Sequence, residues 1–127
     1  MTLEKKRILI VDDDENIRNA IRRMLAIDNI YLIEEAQNGG EAEEQIECFI
    51  PDLVILDIKM PGKDGYDVSL DIRRHDTNKK IKIIAISGLM QNVIEPMMEA
   101  LGVDYFFEKP FDNQLLKEKI QELLNSE

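Results

Sequence analysis

The sequence predicts a doubly wound α/β domain, and three observations carry that prediction. Five apolar runs of strand length recur along the chain, helix-patterned segments separate them, and most of the runs are apolar at nearly every position. Strands that are apolar on both faces belong to a parallel sheet covered by helices on both sides. The length of 127 residues suits one domain with one good core. Residues 1–127 are therefore expected to form a single domain.

The first run, "ILIV" (8–11), is rich in β-branched residues. It is followed by "ENIRNAIRRMLAI", in which Ile17, Ala20, Ile21, Met24 and Leu25 share one helical face at spacings of three and four. "IYLI" (30–33) is the second strand, and "GGEAEEQIECFI" then places Ala42, Ile46 and Phe49 on one face of a helix. In that segment Cys48 reads as a packing position. "LVIL" (53–56) is the third strand, with a shorter helix over 66–74. "IKIIAI" (81–86) is the fourth, and a helix over 92–101 follows it. Pro96 interrupts that helix pattern. Either Asn92 caps it and Pro96 forgoes one hydrogen bond, or the helix starts late with Pro96 at its first position. Met97 shares a face with Val93 and Leu101 and reads as core, whereas Met98 reads equally as core or as adaptable partner surface. "VDYFF" (103–107) is the fifth strand, and "DNQLLKEKIQELL" closes the chain with Leu116, Ile120 and Leu123 on one face and Asp112 placed to cap it. No internal repeat, low-complexity segment or linker divides these units.

Composition excludes several classes. Hydrophobic content of 44% with 33% charged residues describes a soluble globular chain, and no apolar run is long enough to span a membrane. "MTLEKKR" at the start is no signal peptide. The single cysteine forms no internal disulfide, in keeping with a reducing compartment. A net charge of −10 argues against binding nucleic acid or anionic lipid through bulk charge. A protein partner or a cation fits better.

The polar residues that interrupt the pattern are not scattered. Asp12, Asp13 and Asp14 follow the first strand, Asp57 the third, Ser87 the fourth and Lys109 the fifth. In an open parallel sheet these strand ends share one edge, where ligands bind as the strand order reverses. Each residue also has an ordinary structural explanation. Asp13 or Asp14 caps the first helix, Asp57 could be a turn residue before Pro61 and Gly62, Ser87 a small packing residue, and Lys109 loop charge. Those four explanations leave their shared position at strand ends unexplained. His75, in "RRHDTNKK", reads as a solvated loop residue.

Three carboxylates within about 5 Å of one another repel by roughly 3 kcal/mol per pair at an effective dielectric near 20. Such a cluster calls for a cation, and few hard oxygen ligands with room for water and phosphate oxygens suit Mg²⁺. "DDDEN" lacks the alternating ligands and closing Glu of a calcium-binding EF-hand. Mg²⁺ beside a lysine and a hydroxyl suits phosphoryl binding. With no Gly-rich Walker loop to cradle a nucleotide, the remaining candidate nucleophile is a carboxylate, which would form an acyl phosphate.

Taken together, "ILIVDDDENIR", "PDLVILDIKMPGKDG", "IIAISG" and "YFFEKPF" resemble the receiver domain of two-component response regulators, over essentially the whole chain. The resemblance implies a flavodoxin-like receiver fold, with sheet order 2-1-3-4-5 and helices on both faces. It implies that Asp57 is the phosphoacceptor. Asp12, Asp13, Asp57 and the backbone carbonyl of Lys59 would hold Mg²⁺, Asp13 directly and Asp12 mainly through water. Ser87 and Lys109 would bind the phosphoryl group, and Phe106 would be the switch aromatic. A cis Lys109–Pro110 peptide is also implied. The implied partners are a histidine kinase or phosphotransfer protein and a downstream target or effector domain, without direct nucleic-acid or membrane contact. The implied location is cytoplasmic. Such a domain is not an enzyme in the usual sense, although it assists its own phosphorylation and dephosphorylation. Phe106 departs from the tyrosine variant of the pattern, so switching there rests on burial. Two alternatives remain: a receiver-like adaptor that binds a partner unphosphorylated, and a carboxylate-nucleophile phosphatase. The phosphatase needs a second Asp two residues after the first, where this chain has Lys59.

Overall fold

The computed structural model describes residues 4–58, 64–76, 80–88, 96 and 98–125, with only the backbone of residues 64–66. Strand β1 (Lys6–Val11) leads to helix α1 (Glu15–Ala26), β2 (Tyr31–Ala36) to α2 (Gly39–Phe49), and β3 (Leu53–Asp57) to α3 (Asp64–His75). Strand β4 (Lys82–Ser87) follows, then helical residues 98–101 (α4), β5 (Tyr105–Glu108) and α5 (Asn113–Asn125). The five strands form one parallel sheet in the order β2-β1-β3-β4-β5. This is the doubly wound sheet that the sequence predicts. Residue 96 is helical, but the start of that helix, together with the expectations for Lys59, Asn92, Val93 and Met97, lies outside the described residues.

Side chains alternate across a strand, so each central strand supplies two cores. Ile8, Ile10, Leu53, Ile55, Ile84 and Ile86 point to one face, where Ile21 and Leu25 of α1 and Leu116 and Ile120 of α5 cover them. Leu9, Val11, Val54, Leu56, Ile83 and Ala85 point to the other, against Ala42, Ile46, Val68, Ile72 and Leu101. Met98 packs on this second cluster as core. On α1 the expected stripe holds except for Ala20, which is exposed at its margin. Asp14 caps α1 by accepting from the Asn16 N–H at 2.9 Å, and Asp112 caps α5 by accepting from the Gln114 N–H at 2.7 Å. The Lys109–Pro110 peptide is cis, as expected. Among the described residues no helix is long and apolar enough to cross a membrane.

The fifth strand runs Tyr105–Glu108 and not 103–107, because Val103 and Asp104 still belong to the turn into it. Three further expectations need correction. The second strand is not the four-residue apolar run at 30–33. It spans Tyr31–Ala36, with Leu32 and Glu34 exposed. It is an edge strand, bonded only to β1, so its outer positions see solvent and tolerate acids. Cys48 is exposed: Ala42 and Ile46 face the sheet, and a position two beyond Ile46 lies about 200° further round the helix. His75 is exposed as expected, but it is the last residue of α3 and not part of a loop.

The end of the sheet opposite the acids is held by one side chain. Arg73, on α3, donates to the Gly102 carbonyl from Nε at 2.9 Å and from Nη2 at 2.7 Å, and to the Ile81 carbonyl from Nη1 at 2.8 Å. Asp104 and Asp76 pair with the same guanidinium at 3.1 and 3.3 Å. Gly102 sits at φ +70°, and a Cβ there would lie 2.6 Å from the Arg73 Nε. Two penalties therefore meet at one residue. An L side chain in the left-handed region costs about 1–2 kcal/mol, and displacing a bonded guanidinium adds more. Gly102→Ala is expected to destabilise the domain by about 2–3 kcal/mol in urea unfolding. In an Arg73→Ala background the same change should cost only the backbone share, about 1–2 kcal/mol. An undiminished penalty there would mean the steric conflict with Arg73 contributes nothing.

Candidate functional site

Sheet register brings the singled-out residues to one edge. Asp57 ends β3 opposite Ile86, and Ser87 ends β4 opposite Glu108, so the residues that follow emerge side by side. Backbone bonds extend the ladder past the last strand residues. Ile58 donates to the Ile86 carbonyl at 2.8 Å, Lys109 to the Ser87 carbonyl at 2.7 Å, and Asp12 to the Ala36 carbonyl at 3.1 Å. The platform beneath the polar side chains is therefore continuous across the sheet.

One ligand oxygen each from Asp12, Asp13 and Asp57 lies within 4.8 Å of the other two. Asp13 is exposed, whereas Asp12 and Asp57 are 2% and 5% exposed. The two buried acids are held very differently. Every polar atom of Asp12 has a partner. Its N–H reaches Ala36, its carbonyl accepts from Arg18 Nη1 at 2.6 Å, Oδ1 accepts from the Asp14 N–H at 2.8 Å, and Oδ2 lies 3.5 Å from Lys109 Nζ. Asp57 has the reverse arrangement: both carboxylate oxygens are buried and neither accepts a hydrogen bond. Lys109 Nζ lies 3.3 Å from Asp57 Oδ1 as an ion pair, close enough for Coulomb attraction but outside hydrogen-bond geometry.

That imbalance sets the electrostatics. Burial, and then the neighbouring Asp12 carboxylate, push the Asp57 carboxyl up from 3.8 to about 6, with Lys109 opposing them. Two buried carboxylates, one of them with both oxygens unsatisfied, an exposed third acid and one ammonium make a donor set that fits a hard divalent cation such as Mg²⁺. It fits a tetrahedral soft-ligand metal poorly, since it offers neither imidazole nor thiolate.

Of the other expected residues, Ser87 is fully buried at the end of β4, beside this group. Phe106 is placed elsewhere: it pairs with Ala85 and is buried in the core cluster with Ile83 and Leu101. The Lys59 carbonyl lies outside the described residues. Sequence reasoning missed Arg18 and Glu35. Arg18 lies next to the apolar stripe of α1, four residues after the cap Asp14, so it stands over the acid loop. Its place at the margin of the apolar stripe, beside Ile17 and Ile21, was the available signal.

Known proteins resemble this chain in sequence and in fold. The family profile described as "Response regulator receiver domain" matches residues 8–121. The chemotaxis protein CheY of Halobacterium salinarum is 33% identical over 121 residues, covering 95% of this chain and 98% of that protein. Response regulator MprA of Mycolicibacterium vanbaalenii is 35% identical over 93% of this chain, but this chain spans only 50% of that regulator. Among solved structures, the CheY-like receiver domain protein of Methanospirillum hungatei superposes with a TM-score of 0.85 at 30% identity, covering 96% of this chain and 95% of that one. The response regulator protein TrrA of Thermotoga maritima, crystallised in complex with Mg(2+)-BeF, gives 0.79 at 36% identity over 93% of this chain and 98% of its own.

The raised Asp57 carboxyl makes a stability prediction. An acid that binds its proton more tightly when folded stabilises the fold at low pH. It loses that contribution as pH rises from the unfolded value, near 4, through the folded value of about 6. Above that window the ionised group costs the metal-free fold about 3 kcal/mol. Asp57→Asn is therefore expected to raise metal-free stability at pH 7.5 by up to about 3 kcal/mol, and the advantage should close as pH falls to 4. Urea melts across this range read the difference. An advantage independent of pH would show that relief of charge at Asp57 is not its cause.

Proposed function

The chain belongs to the response regulator receiver domain family of two-component signalling, and on that premise we propose that Asp57 accepts a phosphoryl group from a histidine kinase or phosphotransfer protein. The observation that carries this reading is the Asp57 carboxylate itself: buried, ionised at neutral pH, and left with both oxygens free of hydrogen bonds. A structural aspartate at a strand end would be satisfied by turn amides, as Asp12 is by Asp14.

In the proposed step an Asp57 carboxylate oxygen attacks phosphorus and forms an acyl phosphate. The phosphorus–nitrogen bond of the donor phosphohistidine breaks, and the electron pair leaves with the imidazole, which stays on the donor. Asp12, Asp13 and Asp57 would hold Mg²⁺, with the Lys59 carbonyl as the further ligand that the family pattern implies. When bound, the ion supplies charge neutralisation for the phosphoryl oxygens. Lys109, already 3.3 Å from Asp57, pairs with the transferred group, and the Ser87 hydroxyl donates to it. Phe106 has no hydroxyl, so its part in switching is to change packing within the cluster it shares with Leu101 and Met98. That would present an altered surface to a downstream protein or effector domain.

The acceptor is the chain itself, so in this reading the domain is a phosphoprotein that assists its own phosphorylation and dephosphorylation. Its proposed location is the cytoplasm, with the donor kinase. The net charge of −10 supports protein partners over direct nucleic-acid or membrane binding.

Two measurements test the reading. Intact mass after acetyl phosphate treatment with Mg²⁺ should rise by one phosphoryl group in the parent and not in Asp57→Asn. Labelling of the variant would move the nucleophile elsewhere, and an unlabelled parent would favour the adaptor reading. Separately, Mg²⁺ should raise the parent melting temperature by mass action, and Asp13→Asn should remove most of that rise. A parent Tm indifferent to Mg²⁺ would show that the acid cluster holds no such ion.

A further inference from the structure

Arg18 is not among the acids, the hydroxyl or the lysine of the site, yet it touches the site's backbone. Its Nη1 donates to the Asp12 carbonyl at 2.6 Å, and its Nε donates to Glu35 Oε1 at 2.9 Å. The other Glu35 oxygen accepts from Arg22 Nε, and Arg22 also reaches the Ile33 carbonyl at 3.2 Å. The Arg18 side chain is 13% exposed, so water competes weakly for these bonds. Glu35 belongs to β2 and both arginines to α1.

The Asp12 carbonyl is half of the peptide that joins Asp12 to Asp13. A planar peptide has no freedom of its own, so fixing that oxygen fixes the direction of the Asp13 N–H and the starting point of the Asp13 side chain. Asp12 is already tied by its N–H and by Oδ1. Asp13, exposed, follows directly in that loop, so this peptide sets where its side chain begins. Glu35 keeps the guanidinium plane turned so that one edge grips the carboxylate while Nη1 points at the loop.

We propose that Arg18 is a positioning residue for the cation site: oriented by Glu35, it locks the Asp12–Asp13 peptide so that the three acids are prearranged for the ion. This rests on the reading of Asp12, Asp13 and Asp57 as a Mg²⁺ site. Arg22 grips the same carboxylate without touching the loop, and so supplies the control. Lysine does not replace Arg18, because one ammonium on its flexible stem cannot serve Glu35 and the Asp12 carbonyl from a fixed plane.

Calorimetric titration of Mg²⁺ into the parent, Arg18→Met, Arg18→Lys and Arg22→Met tests this. Both Arg18 variants are expected to bind Mg²⁺ about tenfold more weakly, the size seen when an outer-shell support is removed. Arg22→Met should lower Tm while leaving the Mg²⁺ affinity little changed. A merely structural Arg18 would do the same, so unchanged affinity in Arg18→Lys, the variant expected to fold most readily, overturns the proposal. At saturating Mg²⁺, acetyl phosphate labelling of Asp57 in the Arg18 variants should return to near the parent rate. A parent that binds Mg²⁺ but is never labelled would refute the phosphoacceptor reading alone, with the positioning role still decided by the affinities. A parent that takes up no Mg²⁺ overturns both.

Discussion

The structure turns on one carboxylate that is buried without being satisfied. Asp57 ends a strand in which every residue is buried, and its two oxygens find no hydrogen-bond donor. A fold can hold such a group only if its surroundings leave it no way out. The backbone of β3 is paired on both sides, to β1 and to β4, so the strand cannot shift to carry the carboxylate into water. The main attraction offsetting the burial is Lys109, reached from the far side of β4. The metal-free domain is thus less stable than its core alone would make it, and a cation held at this edge, as proposed, would offset part of that burial.

Asp12 shows how much of the architecture serves to hold that edge. Its four polar atoms are engaged by β2, α1, the start of the α1 cap and the residue after β5. One acid is fully satisfied and immobile, one is buried and unsatisfied, and one is exposed. That gradation lets a cluster of like charges persist while leaving room for ligands. The opposite end of the sheet is tied by Arg73 and Gly102, so α3 and the entry to β5 share an anchor remote from the acids. Under the proposed phosphorylation, change at the acid edge would act against a frame fixed at its other end, with Phe106 and Leu101 in between.

Much of the fold could be read directly from the chain. Runs such as "ILIV", "LVIL" and "IKIIAI" are apolar on both faces because both faces are covered, and that pattern dictates a parallel sheet between helical layers. The alternation also sent Asp12, Asp57, Ser87 and Lys109 to one edge, since successive parallel strands end on the same side. The caps at Asp14 and Asp112 are local chemistry, decided within three residues. Edge strands were harder to read. Once β2 has a neighbour on one side only, Glu34 and Glu35 can sit within it, and nothing nearby in sequence announces that.

Tertiary structure alone decided the energetics of the site. The sequence placed three acids together, but it could not say that Asp12 would be satisfied and Asp57 orphaned, because that depends on which carboxylate the Asp14 amide reaches and on a lysine brought from 97 residues away. Nor could it join Arg18 to Glu35, 17 residues apart on a helix and an edge strand, or Arg73 to Gly102, 29 residues apart. Periodicity reports which face a residue occupies. It does not report which distant polar group shares that face, and hydrogen bonds a few tenths of an ångström from failure are settled only when the layers have packed.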